Sequence, residues 1–305
     1  MDAGSTPQKT VIVIAGPTAI GKTAISIQVA QQLHTEILSA DSRQCYREIT
    51  IGTAKPSAEE VSQVKHHFID EFPAAKALTA ADYESLSLQY LDKIFAKHDV
   101  AVVCGGTGLY IKALCEGLDA MPEVSDDIVH EVNEHYRLQG LHWLQDAVHS
   151  EDPEFFAQAE VQNPARLIRA LAFKRSTGES LIHFRTGVVK ERPFNIIKIA
   201  LQLPREVLYE RINQRVDIMM QQGLLEEVKS LLPLRHLKNL HTVGYTELFD
   251  YLDDKYELDE AVNKIKQNTR NYAKRQMTWF RRDTEFTWLD ADATAAEKIV
   301  ALYKG

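Results

Sequence analysis

The feature that most constrains the fold is a glycine loop near the start of the chain. Residues 16–23 read Gly-Pro-Thr-Ala-Ile-Gly-Lys-Thr, which matches the pattern G-x-x-x-x-G-K-[ST]. The loop follows an unbroken apolar run at residues 11–15 and precedes helical apolar spacing from Thr23 to His34. Strand, glycine loop and helix in this order form the first half of a βαβ unit. The sequence therefore predicts a phosphate-binding loop on a parallel sheet.

Three further apolar runs, at residues 36–40, 100–104 and 196–201, predict more strands of the same sheet. The span 119–194 has helical patterning without a convincing strand, and the chain after Pro204 looks helical to its end. We predict an α/β fold with a P-loop NTPase-like parallel sheet core. The core is formed by residues 1–118 and 195–305, and an all-helical domain is inserted at residues 119–194.

Composition argues for a water-soluble protein in a reducing compartment. No stretch of 18 or more apolar residues occurs, and residues 1–9 lack the apolar centre of a signal peptide. We therefore expect a cytoplasmic protein with no membrane partner. Cys45, Cys104 and Cys115 form no Cys-x-x-Cys pair, so we expect reduced thiols and no structural zinc.

Positive charge is concentrated in two patches although the net charge of the chain is −8. Residues 264–282 contain seven basic and no acidic side chains, and residues 166–192 contain seven basic side chains against Glu179 and Glu191. The overall charge argues mildly against a nucleic-acid partner. A charge run is usually a solvated face, so each patch alone is compatible with a solvated face or with an RNA surface.

The glycine loop predicts a grip on two adjacent phosphates. Its N–H groups and the helix N-terminus surround the phosphates, Lys22 neutralises their oxygens and the Thr23 hydroxyl holds Mg²⁺. The predicted diphosphate site comprises Gly16, Pro17, Thr18, Ala19, Ile20, Gly21, Lys22 and Thr23.

The acidic residue expected near a phosphate-binding loop follows the second predicted strand here. Walker-type NTPases place a metal-binding aspartate at the end of a later strand, but here that strand ends Cys104-Gly105-Gly106-Thr107. Asp41 ends the second strand, where it is either a cap for the next turn or a proton acceptor beside the loop.

Two glycine-containing turns and an arginine pair have open interpretations. The turns at residues 51–56 and 105–110 either close over a ligand or are structural. Arg211 and Arg215 lie four residues apart and so on one helix face. They either bind an anion or pair with neighbouring glutamates, Glu206 or Glu210.

Together these stretches resemble the bacterial tRNA dimethylallyltransferases, from Val11 to about Leu289. The motifs that carry the resemblance are Gly-Pro-Thr-Ala-x-Gly-Lys-Thr at 16–23, Ala-Asp-Ser-Arg-Gln at 40–44, Ile-Gly-Thr-Ala-Lys-Pro at 51–56, Gly-Gly-Thr-x-Leu-Tyr at 105–110, Asn-Pro-x-Arg-Leu-x-Arg-Ala-Leu at 163–171, Arg-Val-Asp-x-Met at 215–219, Val-Gly-Tyr at 243–245 and Thr-Arg-x-Tyr-Ala-Lys-Arg-Gln-x-Thr-Trp-Phe-Arg at 269–281.

The resemblance implies transfer of a dimethylallyl group from dimethylallyl diphosphate to the N6 amino group of the adenosine 3′-adjacent to the anticodon in tRNA. Diphosphate leaves, and no ATP is required. The catalytic residues implied are Asp41 as general base, Lys22 and Arg215 on the phosphates, and Thr107 near the reacting groups. Mg²⁺ is the implied cofactor, bound through Thr23.

The resemblance also implies contacts to the anticodon stem-loop of tRNA, with the helical insertion as a clamp. The implied tRNA-binding residues are Asp41, Ser42, Arg43, Gln44, Ala165, Arg166, Leu167, Ile168, Arg169, His241, Thr242, Val243, Gly244, Tyr245, Thr246, Asn268, Thr269, Arg270, Asn271, Tyr272, Ala273, Lys274 and Arg275. We expect a monomer. The alternatives are an adenylate isopentenyltransferase, a small-molecule or nucleotide kinase, and a non-catalytic RNA-binding protein with a relic P-loop.

Overall fold

The computed structural model describes residues 8–305, and it divides them into two compact units. Residues 1–7 lie outside the described part. The expectation that residues 1–9 are no signal peptide concerns mostly these residues. The first unit comprises the chain up to Glu116 together with Glu191–Gly305, and the second comprises Gly117–Lys190.

The first unit is built on one six-stranded, wholly parallel sheet with the order β3-β2-β4-β1-β5-β6. The predicted α/β core with a parallel sheet is therefore confirmed. The strands are β1 Thr10–Ala15, β2 Ile37–Ala40, β3 His66–His67, β4 Val100–Gly105, β5 Asn195–Gln202 and β6 Thr287–Asp290.

Four of these strands correspond to the apolar runs in the sequence, and two do not. The expectation that the chain is helical from Pro204 to its end is wrong, because β6 lies in that region. β6 is a four-residue edge strand with exposed ends, and β3 has two residues, so neither carries a recognisable apolar pattern.

The central strand β1 explains why its sequence is continuously apolar. Its side chains are buried on both faces of the sheet. Val11, Val13 and Ala15 pack into one hydrophobic core, whereas Ile12 and Ile14 pack into the core on the other face. This alternation follows from the two-residue repeat of a strand.

Helices flank the sheet and supply the rest of both cores. The helices of the first unit are α1 Lys22–Gln32, α2 Ala58–Gln63, α3 Ala80–Phe95, α4 Gly108–Glu116, and then α8 Arg205–Gln221, α9 Leu224–Ser230, α10 Tyr245–Leu252, α11 Leu258–Phe280 and α12 Ala295–Lys304. The predicted helix after the P-loop corresponds to α1, and the region predicted to be helical after Pro204 contains α8 to α12. Within residues 8–305, no helix is both long and apolar enough to cross a membrane.

The second unit contains helices and no strand among its described residues. Its α-helices are α5 Asp126–Glu151, which is interrupted at Gly140, α6 Pro153–Gln158 and α7 Pro164–Thr177. Asp152 and Asn163 accept hydrogen bonds from the first turns of α6 and α7, and each precedes a proline at the first helical position. A separate apolar core includes Val132, Leu144 and Leu171.

The bounds of this unit differ slightly from the predicted insertion at 119–194. Arg192 shows why the chain rejoins the first unit early, because its buried guanidinium donates to the carbonyls of Ala113 and Leu114 and pairs with Glu84. One member of the predicted basic patch at 166–192 is therefore a structural residue of the sheet-containing unit.

Candidate active site

The phosphate-binding loop joins the carboxyl end of β1 to the first turn of α1. Ala19 has a φ of 63°, a left-handed conformation that is uncommon for a residue with a side chain. Lys22 reaches back over the loop, where its ammonium group donates to the carbonyls of Gly16 at 3.0 Å and Pro17 at 2.8 Å. The lysine charge therefore lies against the loop.

Helix α8 brings two guanidinium groups to the same loop. Arg215 Nη1 lies 3.5 Å from Thr18 Oγ1, and Arg211 Nη1 donates to the Ile20 carbonyl at 3.4 Å. Within residues 8–305, neither arginine pairs with an acid, so the glutamate-pair interpretation is wrong. Burial lowers the pKa of Arg215. The arginine pair adds positive charge beside a loop that already holds Lys22.

Asp41 lies at the carboxyl end of β2, beyond β4 when viewed from the P-loop strand. Its Oδ1 accepts hydrogen bonds from the N–H groups of Arg43 at 2.8 Å and Gln44 at 3.3 Å. These bonds satisfy the capping interpretation. Asp41 Oδ2 has no hydrogen-bond partner among the described residues, so this oxygen can accept a proton.

Thr107 occupies the turn after β4, between the P-loop strand and the Asp41 strand. Its N–H donates to the Ala40 carbonyl at 3.1 Å, and its hydroxyl accepts from the N–H of Ser42 at 3.0 Å. Thr107 therefore fixes the turn that carries Asp41. The structure brings this predicted pair together at one edge of the sheet.

Electrostatic coupling places the charged residues in one site. The pKa of Lys22 is lowered to about 8, chiefly by burial, while Asp41 raises it and Arg215 lowers it. Burial, and then the charge of Asp41, raises the pKa of Tyr272 to about 12. The site therefore combines a half-buried cation, a carboxylate and a tyrosine that stays protonated near neutral pH.

Gln276 on α11 is a site residue that sequence reasoning missed. Its Oε1 accepts the N–H of Thr18 at 2.9 Å, and its Nε2 donates to the Gly106 carbonyl at 2.9 Å. A Cβ atom at Gly106 would lie 2.3 Å from that nitrogen, so only glycine permits the approach. Gln276 thus joins the P-loop to the β4–α4 turn. The available signal was its spacing, three residues after the apolar-face position of Ala273.

The turn at residues 51–56 is fixed by a network of hydrogen bonds. The Glu227 carboxylate accepts the N–H groups of Thr50, Ile51 and Gly52 and the hydroxyl of Tyr245. Gln44 donates to the carbonyl of Thr53 at 3.2 Å. These bonds favour the structural interpretation of this turn.

Several implied tRNA contacts need correction, because their side chains are occupied inside the protein. Leu167, Tyr245 and Ala273 are each 0% exposed and belong to hydrophobic cores, so their side chains pack instead of contacting RNA. Asn268 donates to the buried carboxylate of Glu247 at 2.7 Å. These four residues support the surface that their neighbours present.

The basic patch at residues 264–282, most of which lies on α11, is also less uniform than its composition indicates. Lys266 pairs with Asp217 at 2.6 Å, and Arg270 donates to the Asn213 side chain at 2.6 Å, both on α8. Lys274 and Arg275 are exposed and form no salt bridge within residues 8–305. The free positive charge of α11 therefore lies toward its C-terminal half.

The helical unit has its own cluster of arginines. Burial lowers the pKa of Arg185, and the charges of Arg169 and Arg166 lower it further. By contrast, Arg175 pairs with Glu151 and Glu131. Arg166 pairs with Glu160 at 3.1 Å, and Arg169 is exposed, so the positive charge of this cluster is partly compensated. Arg175, held by two glutamates, is structural.

Thr23 fits a magnesium ion that accompanies a diphosphate. Its hydroxyl lies in the first turn of α1 and has no hydrogen-bond partner among residues 8–305. That part of the chain also contains no group of three or more His, Cys, Asp or Glu side chains arranged for a metal. Mg²⁺ usually keeps several waters and binds substrate phosphates, so one hydroxyl from the protein is compatible with its chemistry.

Comparison with known proteins establishes the family. The family model described as IPP transferase matches residues 44–283, well over half of the chain. This chain belongs to the IPP transferase family. The family resemblance drawn from the sequence motifs is thereby confirmed, although the matched span begins after the P-loop and Asp41.

Individual IPP transferases match over nearly the full length. The chain is 48% identical over 279 residues to the tRNA dimethylallyltransferase of Christiangramia forsetii, and 44% identical over 280 residues to that of Cytophaga hutchinsonii. Each alignment covers 92% of both chains.

Solved structures of other proteins are also similar to this chain. The full-length tRNA isopentenylpyrophosphate transferase of Bacillus halodurans is 36% identical, with a TM-score of 0.71 and coverage of 97% of this chain and 95% of that one. A eukaryotic dimethylallyltransferase acting on tRNA has a TM-score of 0.75 at 24% identity, with 97% and 77% coverage. The second likeness concerns the fold alone.

Proposed function

We propose that this enzyme transfers the dimethylallyl group of dimethylallyl diphosphate to the N6 amino group of the adenosine 3′-adjacent to the anticodon in tRNA, and releases diphosphate. One observation carries the proposal. The P-loop, with Lys22 and the nearby Arg215, lies at the same edge of the sheet as Asp41. Asp41 Oδ2 has no hydrogen-bond partner within residues 8–305, so it can accept a proton. The chemistry needed is a diphosphate grip beside a base.

The P-loop side of the site stabilises the leaving group. Negative charge gathers on the diphosphate as its bond to carbon breaks, and the loop N–H groups, Lys22 and Arg215 are fixed before the reaction begins. One preorganised donor of this type typically lowers a barrier by about 2.7–4 kcal/mol. The electrophile is allylic, so positive charge on its carbon is delocalised while the carbon–oxygen bond loosens.

Asp41 acts on the nucleophile. An adenine amino group is a weak nucleophile because its lone pair is delocalised into the ring. As the N6–carbon bond forms and the carbon–oxygen bond breaks, one N6 proton passes to Asp41 Oδ2. The two N–H groups that bind Oδ1 hold the carboxylate in place, and Thr107 holds the turn that bears it.

The acceptor base must leave its stack to reach this edge of the sheet. Enzymes that modify bases extrude the target at a cost of about a few kcal/mol, and sequence-specific readers of RNA generally select splayed loop bases. The exposed Lys274 and Arg275 on the first unit, and Arg166 and Arg169 on the second, supply phosphate contacts. The enzyme acts in the cytoplasm as a monomer.

Mg²⁺ is the proposed cofactor, and it would neutralise negative charge on the diphosphate. Thr23 is the residue that would hold it. The P-loop grips the donor diphosphate in this proposal, so ATP has no part in the reaction.

A labelled donor separates this function from its alternatives. The enzyme is incubated with dimethylallyl diphosphate labelled in the dimethylallyl group, together with unmodified tRNA, with AMP or with no acceptor. We expect label only in tRNA. Label in AMP would identify an adenylate isopentenyltransferase. Phosphate transfer from ATP would identify a kinase, and RNA binding without transfer would contradict catalysis.

A further inference from the structure

A large exposed side chain, Trp279, lies on the C-terminal half of α11 beside the proposed active site. Trp279 is 40% exposed, although tryptophan is usually well buried. A Cβ atom at Gly108 would lie 2.2 Å from the indole ring, so the ring rests directly on the Gly108 backbone. Gly108 follows Thr107 in the chain. The tryptophan therefore borders the turn that carries Thr107.

The neighbours of Trp279 on the helix alternate aromatic and cationic character. Tyr272, Arg275 and Trp279 are spaced i, i+3 and i+7, which places them on one helix face. The Arg275 guanidinium lies over the Tyr272 ring at 5.7 Å. Arg282 follows just beyond the helix end and is exposed. Within the described residues, neither Arg275 nor Arg282 forms a salt bridge.

An exposed indole beside arginines without salt bridges favours a particular kind of ligand. A solvated charged face has no need of an exposed indole, and a purely apolar partner does not favour unpaired arginines. Single-stranded nucleic acid satisfies both features, because its bases stack on aromatic rings while its phosphates bind lysine and arginine. Leu109, which is 45% exposed, extends the apolar surface next to Gly108.

We propose that Trp279 is a stacking platform for an unpaired nucleobase of the RNA acceptor, flanked by phosphate contacts from Arg275 and Arg282. The proposal rests on the proposed function for the identity of the acceptor. It extends the RNA surface of α11 beyond Arg275 to the end of the helix. Base stacking is sequence-tolerant, so the platform contributes affinity and register more than base identity.

Fluorescence tests this placement directly, because the chain has three tryptophans. The variant Trp143→Phe/Trp288→Phe retains Trp279 as its only indole, and the matched control Trp143→Phe/Trp279→Phe retains Trp288. Each is titrated with an unmodified anticodon stem-loop RNA and, separately, with dimethylallyl diphosphate. We expect RNA to quench the emission of Trp279 and to change that of Trp288 much less. Unchanged Trp279 emission on RNA binding, or equal quenching by the donor alone, would overturn the proposal.

Affinity measurements complete the test. Trp279→Leu should weaken RNA binding by about 5- to 160-fold, the range for loss of one base–aromatic stack, while Trp279→Phe should recover most of it. Donor binding should be unchanged in both variants. Equal RNA affinities for parent and Trp279→Leu, or equal losses for the Phe and Leu variants, would refute stacking while leaving transfer to tRNA intact. A parent enzyme that binds no RNA would instead refute the proposed function.

Discussion

Replacing Gln276 with methionine should weaken both the fold and the donor site. The substitution keeps the length of the side chain but removes its hydrogen bonds to the Thr18 N–H and the Gly106 carbonyl. Gln276 is only 6% exposed, so water cannot fully replace these partners. An unsatisfied buried backbone group costs about 1–3 kcal/mol, so loss of both partners should lower the free energy of unfolding by about 2–6 kcal/mol.

The effect on function follows from the position of the lost bonds. Thr18 belongs to the P-loop and Gly106 precedes Thr107, so both sides of the active site lose a fixed contact. We expect a higher KM for dimethylallyl diphosphate and a lower kcat, with a smaller change in tRNA affinity. Urea unfolding, donor calorimetry and steady-state kinetics measure these quantities.

A matched control lies on the same helix. Gln267→Met makes the same chemical change at an exposed position and should leave stability and kinetics close to the parent. Parent-like unfolding and donor affinity in Gln276→Met would refute the proposed link between the P-loop and the β4–α4 turn. A loss confined to tRNA binding would show that the residue serves another surface.

Four other perturbations test the remaining parts of the site. Asp41→Asn should reduce transfer about 10²–10⁴-fold without loss of fold, the usual range for a general base, and a loss under tenfold would exclude that role. Thr23→Val should shift the Mg²⁺ dependence of transfer to higher concentration, and overlapping Mg²⁺ titrations would remove Thr23 from the metal. Lys274→Ala/Arg275→Ala should weaken tRNA binding and flatten its salt dependence, whereas Lys264→Ala, whose partner is Glu260, should not; equal salt slopes would exclude phosphate contacts. Donor affinity should fall as the pH rises through about 8, because the free enzyme loses the Lys22 proton there; Lys22→Met should show weaker binding without this pH dependence, and a parent-like slope would contradict the assignment.

The sequence predicted those parts of the fold that depend on local pattern. The unbroken apolar runs of β1 and β4 could be recognised because both faces of these strands are buried. β6 could not, since Thr287 and Asp290 are exposed and the strand lies at the edge of the sheet, paired with β5. Its place in the sheet depends on the register with β5 instead of on its own composition.

The residues of the candidate site also fall into those that local sequence predicts and those that it does not. Lys22 and Asp41 were predictable because each directly follows a recognisable strand or loop. Gln276 was not, since its partner Thr18 lies 258 residues away in the sequence and the helical spacing of Gln276 does not indicate which residue it contacts. The same limit applies to Arg270, whose partner on α8 converts an apparent RNA contact into a helix–helix contact.

Mapping the modified nucleoside tests the central claim most directly. The enzyme is incubated with dimethylallyl diphosphate and either unmodified tRNA or the same tRNA with guanosine in place of the adenosine 3′-adjacent to the anticodon, and the digested products are analysed by mass spectrometry. The account predicts one dimethylallyl group on N6 of that adenosine and none on the substituted tRNA. Modification of other adenosines, equal modification of both tRNAs, or no transfer by the folded enzyme with Mg²⁺ would contradict it.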